Sequence, residues 1–100
     1  MTKMTLTGKS TAADYRRMER IVKGFANHRR LEILDLLRKE PELTLEQIAE
    51  RMRMGYMNAS DHVRRMAIAG LVMKRNEGPR VRHKLTSRAE SILAFCKKLY

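Results

Sequence analysis

The sequence predicts a mainly α domain, with five helices and one two-stranded β-hairpin in the order α-α-α-α-β-β-α. Three observations support this fold class. Apolar residues recur at three- and four-residue steps in several stretches. A glycine separates two short helical stretches mid-chain, and two short segments with apolar alternation flank the turn sequence 76–79. At 100 residues, with 43% hydrophobic and 33% charged residues, the chain fits one globular domain.

The first helix is predicted from about Ala13, after a tail. Residues 1–12 show no hydrophobic period, so we expect a flexible tail followed by a single domain at 13–100. Gly24 weakens the last turn of this helix, and Asn27 is placed to cap the next one. The second helix is apolar around most of its circumference and stops at Pro41. We expect it to be the central helix of the core.

The segment 43–72 contains two short helices joined by a tight turn. Thr44 and Gln47 form a capping box at the start of the first, and Gly55 is expected to supply the left-handed backbone that ends it. The second helix, 56–69, has a packing face with Ala59, Val63, Met66, Ala67 and Gly70. Its free face carries Met57, Asn58, Asp61, Arg64 and Arg65. Such a helix-turn-helix places its second helix in the major groove of DNA.

Two strands, 71–75 and 81–85, are predicted to form a hairpin and complete an α+β winged helix, with residues 71–86 as the wing. Leu71, Met73, Val81 and Leu85 give it an imperfect apolar alternation. Its cations are Lys74, Arg75, Arg80, Arg82 and Lys84. These cations either defend a solvated edge or contact phosphates. Their place beside the reading helix favours phosphate contact.

Ser87 and Glu90 form a second capping box, which starts a last helix that runs to the C-terminus. The first and last helices each carry an apolar seam, which either closes over the protomer's own core or pairs in a homodimer. We expect the homodimer, with an interface of Tyr15, Met18, Val22, Ile92, Leu93, Cys96, Leu99 and Tyr100. Cys96 is either redox-active there or, as we favour, a small apolar residue.

The formal net charge of +11 is concentrated in the second half of the chain. Residues 51–100 hold twelve Lys and Arg against three Asp and Glu, whereas residues 1–50 hold ten against eight. This imbalance favours a polyanion partner, here double-stranded DNA. Lys3 and Lys9 of the tail either also contact the DNA or belong to a frayed terminus. Besides the wing cations, the predicted DNA contacts are Tyr56, Met57, Asn58, Ser60, Asp61, Arg64 and Arg65.

Two residues of the reading helix leave alternatives open. The negative charge of Asp61 repels phosphate, so Asp61 is not a phosphate contact. It either accepts a hydrogen bond from a cytosine amino group or pairs with Arg64 or Arg65 at helical spacing. Tyr56 either contacts a phosphate or a thymine methyl group, or packs against the preceding helix.

Three segments in order resemble the ArsR-like winged-helix transcriptional regulators. Residues 25–34 match the family's opening pattern at Ala26, Arg30, Leu31, Ile33 and Leu34. Residues 42–49 resemble its third helix. Residues 60–63 and 69–72 resemble its paired motifs serine-arginine-histidine-leucine and alanine-glycine-leucine-valine. The resemblance covers about residues 15–86. It implies a small dimeric repressor that joins through its first and last helices and binds an imperfect palindrome.

The departures from the family pattern concern the signal that would release this protein from DNA. Family members that sense soft metals carry two cysteines where this chain has Thr44 and Glu46, which supply no thiolate. His28, His62 and His83 lack metal-ligand spacing, and His62 matches a position that is usually structural in the family. We therefore expect no metal and no cofactor, and the inducer stays unknown.

Other function classes fit the sequence less well. It has no phosphate-cradling glycine loop, no metal-ligand cluster and no nucleophile placed with a histidine and an acid, so we expect no enzyme. No apolar run approaches the ~20 residues of a membrane span, and no secretion signal is evident, so we expect a cytoplasmic protein. The remaining alternative to a sequence-specific repressor is a winged helix used for protein contact or nonspecific nucleic-acid binding.

Overall fold

The computed structural model describes residues 9–100. Its elements, in the predicted order, are α1 (Ala12–Phe25), α2 (His28–Lys39), α3 (Leu45–Met52), α4 (Tyr56–Ile68), β1 (Val72–Glu77), β2 (Arg80–Leu85) and α5 (Ser87–Lys97). The predicted fold class is thus confirmed. Most of the predicted tail, including Lys3, lies outside the described residues. Within the described part, no helix is long and apolar enough to cross a membrane.

The core is built around α2, as the sequence predicts. Ile33, Leu34 and Leu37 of this helix are almost completely buried. Around them α2 packs against α4, α5 and β2. Side chains of the same burial come from α3, α4 and the start of the wing, namely Ile48, Val63, Met66 and Leu71. One continuous apolar cluster therefore holds the helices that position the wing and α4.

Several helix starts have the predicted caps. Thr44 and Gln47 form the predicted capping box of α3. The Asn27 side chain accepts hydrogen bonds from the amides of Arg29 and Arg30 at the start of α2. Helix α1 begins at Ala12, one residue before its predicted start, because Thr11 and Asp14 form a further capping box.

Two predicted helix boundaries are wrong. The left-handed residue that ends α3 is Arg53, with φ 53° and ψ 50°, whereas Gly55 is extended and serves as the N-cap of α4. Helix α5 is capped by Thr86 rather than by a Ser87–Glu90 box, and it ends at Lys97. Thr86 is the N-cap because its hydroxyl accepts a hydrogen bond from the amide of Ala89 and also donates one to the carbonyl of Gly70 at 2.7 Å.

The two strands of the wing extend further towards the turn than predicted, and their burial pattern differs. Its strands pair antiparallel from Val72 opposite Leu85 to Glu77 opposite Arg80, so the turn is Gly78-Pro79. The predicted alternation is wrong at Met73 and Val81, which are exposed. Leu71 and Leu85 are buried as predicted, and Val72 and His83 are buried in place of Met73 and Val81.

His83 is buried because it joins the wing to the segment before α3. Its Nδ1–H donates to the carbonyl oxygen of Leu43 at 2.9 Å, and its backbone N–H donates to the same oxygen. The carbonyl of His83 in turn accepts from the amide of Glu42. Leu43 and His83 thus form an isolated β-bridge, which joins the base of the wing to the segment that leads into α3.

Gly24 has a packing role that the sequence did not reveal. It is buried where α1 crosses the end of α4. A Cβ at this position would lie only 2.4 Å from the Cβ of Ala69. The two helices therefore come together at this point because residue 24 has no side chain.

Candidate nucleic-acid interface

Helix α4 has one packed face and one exposed face. Ala59, Val63 and Met66 are almost completely buried and hold the helix on the core. The opposite face exposes Met57, Asn58, Arg64 and Arg65, and the Met57 side chain is 76% exposed. Ser60 and Asp61 are partly exposed at the edge of this face. The predicted division of the helix into a packing and a free face is confirmed.

The start of α4 is open to a ligand. Its N-cap is Gly55, which has no side chain to accept from the first amides of the helix. Those N–H groups and the positive end of the helix dipole are suited to a phosphate. Tyr56 follows at once, with its side chain half exposed.

Asp61 pairs with both arginines of the free face. Its Oδ1 accepts from Nη2 of Arg64 at 2.6 Å, and its Oδ2 accepts from Nε of Arg65 at 3.0 Å. The hydrogen bonds from Arg65 and then Arg64 hold the pKa of the Asp61 carboxyl below its usual range. Of the two roles left open by the sequence, the structure without DNA shows the pairing.

The wing cations fall into two groups. Arg75 donates to Glu42 at 2.7 Å, and Arg82 donates to Glu77 at 2.6 Å and to the carbonyl of Glu42 at 3.0 Å. The Arg82 side chain is only 21% exposed. Within residues 9–100, no carboxylate lies within salt-bridge distance of the other three, Lys74, Arg80 and Lys84. These three present unneutralised charge to solvent.

A cleft of about 360 Å³ joins α4 to the wing. Tyr56 lines it from the start of α4, and Lys74 and Arg80 line it from the two strands. Thr44, Leu45 and the acidic Glu46 line it from the N-terminal end of α3. The structure thus brings the first residue of α4 and two wing cations to one concave surface.

The terminal helices expose most of the predicted dimer seam. Tyr15, Val22, Leu99 and Tyr100 are exposed, and Met18, Ile92 and Cys96 are partly exposed. Leu93 differs, because it is 4% exposed and lies in the protomer's own core. Phe95, which was not among the residues predicted for the seam, is 63% exposed. The sequence feature that could have identified Phe95 as a seam residue is its helical spacing from Ile92 and Leu99.

The histidines are dispersed in the fold. Among the residues that the structure describes, no three His, Cys, Asp or Glu side chains lie close enough together to hold a metal ion. His62 sits half-buried on α4, where burial lowers its pKa. Its position agrees with a structural role.

Proteins of known structure that resemble this chain include a DNA-binding domain. The model of the MarR family matches residues 26–77 of the chain. The homodimeric winged helix-turn-helix DNA-binding domain of a possible ArsR-family transcriptional regulator from Mycobacterium bovis is similar to this chain, with 32% identity and a TM-score of 0.81. That similarity covers 94% of this chain and 89% of that one.

Two further structures extend the comparison. HlyU from Vibrio cholerae shares 25% identity at a TM-score of 0.76, covering 90% of this chain and 98% of that chain. NolR from Sinorhizobium fredii, with 21% identity and a TM-score of 0.82, covers 100% and 97% and shows likeness of fold alone. A comparison with curated proteins gave no significant match. The chain belongs to the MarR family and has the winged-helix fold of DNA-binding transcriptional regulators.

Proposed function

We propose that this protein is a homodimeric, sequence-specific transcriptional repressor of the ArsR-like type, which reads the major groove with α4. The observation that carries the proposal is the free face of α4, where Asn58, Arg64 and Arg65 are exposed, on a helix whose first residue, Tyr56, lines a cleft with the cationic wing. Asparagine recognises adenine and arginine recognises guanine by paired hydrogen bonds to the base edges. The buried face of α4 fixes the direction in which these side chains point.

The wing supplies the contacts to phosphate. Lys74, Arg80 and Lys84 are available without breaking an ion pair inside the described fold. Arg75 and Arg82 are held by Glu42 and Glu77, so they orient the wing and contact DNA only by exchanging those partners. Since contacts to phosphate release counterions, binding is expected to weaken steeply with salt.

The dimer gives the site its symmetry. The exposed apolar residues of α1 and α5 are the surface on which a second copy would pack, and the similar domain from Mycobacterium bovis is homodimeric. Two α4 helices related by a two-fold axis would read two half-sites of a palindrome about 34–36 Å apart. This function requires no metal or cofactor, and it places the protein in the cytoplasm with the DNA.

The experiment that tests the proposal separates base reading from phosphate contact. Duplexes that bind tightly are enriched from a random pool, and their affinity is compared with that of scrambled duplexes. The R64Q/R65Q variant is expected to lose the preference, by about 1–3 kcal/mol for each base that it no longer recognises. The R80Q variant is expected to weaken binding to enriched and scrambled duplexes alike.

Two results would contradict the proposal. An unchanged preference in the R64Q/R65Q variant would remove these residues from the reading face. Failure to enrich any duplex would favour nonspecific binding, or a protein partner that packs against the exposed Met57.

A further inference from the structure

Glu42, in the loop between α2 and α3, has a backbone conformation that its residue type rarely adopts. Its φ is 70°, in the left-handed region where a side chain crowds the backbone and glycine is favoured. A strained conformation of this kind persists only where surrounding contacts enforce it. The contacts of Glu42 with the wing supply that restraint.

The backbone of Glu42 is fixed by the second strand of the wing. Its N–H donates to the carbonyl of His83 at 2.9 Å, and its carbonyl accepts from Nη1 of Arg82 at 3.0 Å. The next residue, Leu43, continues this contact through its bridge to His83. The place of Glu42 beside the wing is thus set by hydrogen bonds that do not involve its own carboxylate.

The side chain of Glu42 reaches the first strand of the wing. Its Oε1 accepts from Nη2 of Arg75 at 2.7 Å and from Nε of the same residue at 3.1 Å. The hydrogen bond to Glu42, together with the charge of its carboxylate, raises the pKa of Arg75. Glu42 therefore contacts both strands, β2 through its backbone and β1 through its carboxylate.

Arg75 lies in a set of side chains whose charges balance. The Glu77 carboxylate lies 3.8 Å from Nη1 of Arg75, and its other oxygen accepts from Nε of Arg82 at 2.6 Å. Two carboxylates and two guanidinium groups thus alternate on one face of the hairpin, where Arg75 is paired with Arg82 across the strands. Unlike the three unneutralised wing cations, Arg75 already has a carboxylate where a DNA phosphate would bind.

We propose that Glu42 is a positioning residue that keeps Arg75 from contacting DNA. Its carboxylate occupies the side of the guanidinium that a phosphate oxygen would bind, so phosphate contact is left to Lys74, Arg80 and Lys84. Because the backbone of Glu42 is tied to β2, the carboxylate stays beside Arg75 when the wing meets DNA. The effect on DNA rests on the proposed function of the wing, whereas the hold on Arg75 does not.

The hold on Arg75 is tested without DNA. The ¹H–¹⁵N heteronuclear NOE of each arginine Nε–Hε group reports its mobility on the picosecond-to-nanosecond timescale. In the full chain we expect a high NOE for Arg75, which falls in E42Q to the value of the exposed Arg16. Arg82 is the internal control, because its Nε binds Glu77 and should stay rigid. A low NOE for Arg75 in the wild-type chain, or no change in E42Q, would overturn the proposal.

The consequence for DNA is tested by combining two variants and measuring the affinity for a random duplex by fluorescence anisotropy across salt. In the wild-type chain R75Q should lower the affinity less than about twofold, because Arg75 is already neutralised. In E42Q the freed Arg75 becomes a phosphate contact, so the same change should lower the affinity about three- to tenfold and reduce the dependence on salt. Equal losses from R75Q in both chains would overturn the proposal.

Two further variants separate this role from general charge and from stability. E40Q removes the same charge two residues earlier, where Glu40 binds Arg51 of α3 at 3.1 Å, and it should not make R75Q more costly. Equal coupling of R75Q to E40Q and to E42Q would overturn the proposal. E42G removes the carboxylate but favours the left-handed backbone, so it should free Arg75 without loss of stability. An E42G chain in which Arg75 stays rigid would also overturn it.

Failure of the proposed function would give a different result. If R80Q left the affinity for DNA unchanged, the assignment of phosphate contact to the wing would be wrong. The NOE of Arg75 would then decide alone whether Glu42 holds this side chain.

Discussion

Oδ2 of Asp61 lies 3.0 Å from Nε of Arg65, one helical turn further along the exposed face of α4. Its other oxygen binds Arg64, so one carboxylate restrains both arginines proposed to read bases. In the absence of DNA the three side chains together carry a single positive charge. Asp61 therefore weakens the attraction of this face to phosphate, so the selectivity of binding depends more on contacts to the bases.

Replacing Asp61 should make DNA binding tighter and less selective. D61N removes the negative charge and releases both arginines, so affinity for a random duplex should rise on the order of tenfold, with a steeper dependence on salt. Fluorescence anisotropy at several salt concentrations measures both effects. E90Q removes one acid from the exposed surface of α5 and serves as the control. An affinity for random DNA that stays the same in D61N would contradict this role.

Gly24→Ala should destabilise the fold, although alanine is the better helix former. The new Cβ would meet the Cβ of Ala69 at 2.4 Å, so we expect a loss of about 1–3 kcal/mol in the free energy of unfolding. Urea denaturation measures it. The double variant G24A/A69G removes the clash and should lose less stability than the two single changes added together. If G24A instead gains the ~1 kcal/mol expected from helix propensity, the close packing of α1 on α4 is wrong.

Stability should fall as the pH drops below about 6.5, and His83 should be one cause. Burial lowers the pKa of His83, and the hydrogen bond to Leu43 only partly opposes that effect. The unfolded chain therefore takes up a proton at a higher pH than the folded chain. The stability that neutral His83 contributes is complete above the unfolded pKa and is lost as the pH falls towards the lower folded pKa.

H83N keeps a donor for the Leu43 carbonyl and removes the titrating ring. Urea denaturation at about pH 7.5 and 5.5 should give a shallower pH dependence in H83N, by at most about 1.4 kcal/mol per pH unit. Some dependence should remain, since burial also lowers the pKa of His62. Asp35, whose pKa is lowered to about 2, titrates well below this range. H28N, at the exposed start of α2, is the control, and equal slopes in H83N and H28N would refute the role of His83.

Charge on the exposed apolar side chains of α5 and the residues that follow it should dissociate the proposed dimer without unfolding the chain. F95D and L99D each place a carboxylate on an exposed apolar position, so each should weaken self-association by about 2 kcal/mol, roughly thirtyfold. Sedimentation equilibrium measures the association, and circular dichroism confirms the fold. M73D, a similar change on the wing, should leave the dimer intact. Dimers of equal strength in all three variants would place the interface elsewhere.

The features that the sequence predicted correctly have causes within a few residues. The capping box of Thr44 and Gln47 is chemistry at a spacing of three, and the two faces of α4 follow from helical periodicity. The hairpin follows from a turn sequence between two strand-like segments. Each of these could be stated before any tertiary contact was known.

The features that it missed depend on residues far apart in the chain. Thr86 displaced Ser87 as a cap because its hydroxyl also binds the carbonyl of Gly70. His83 is buried because Leu43, 40 residues away, offers it an acceptor. The sequence did not distinguish Arg75 from the other wing cations, because its partner Glu42 is brought beside it only by the fold. Likewise, Arg17, Arg65 and Arg88 line one pocket, although they come from three helices that no local pattern connects.

The central claim is that α4 reads DNA sequence. It is tested most directly by fluorescence anisotropy with two duplexes, the DNA upstream of the protein's own gene and a randomised pool, each titrated across salt. We predict that the upstream DNA binds far tighter and that this preference persists at physiological salt. Equal affinities that collapse together as salt rises would show that the protein contacts only phosphates, and would contradict the claim.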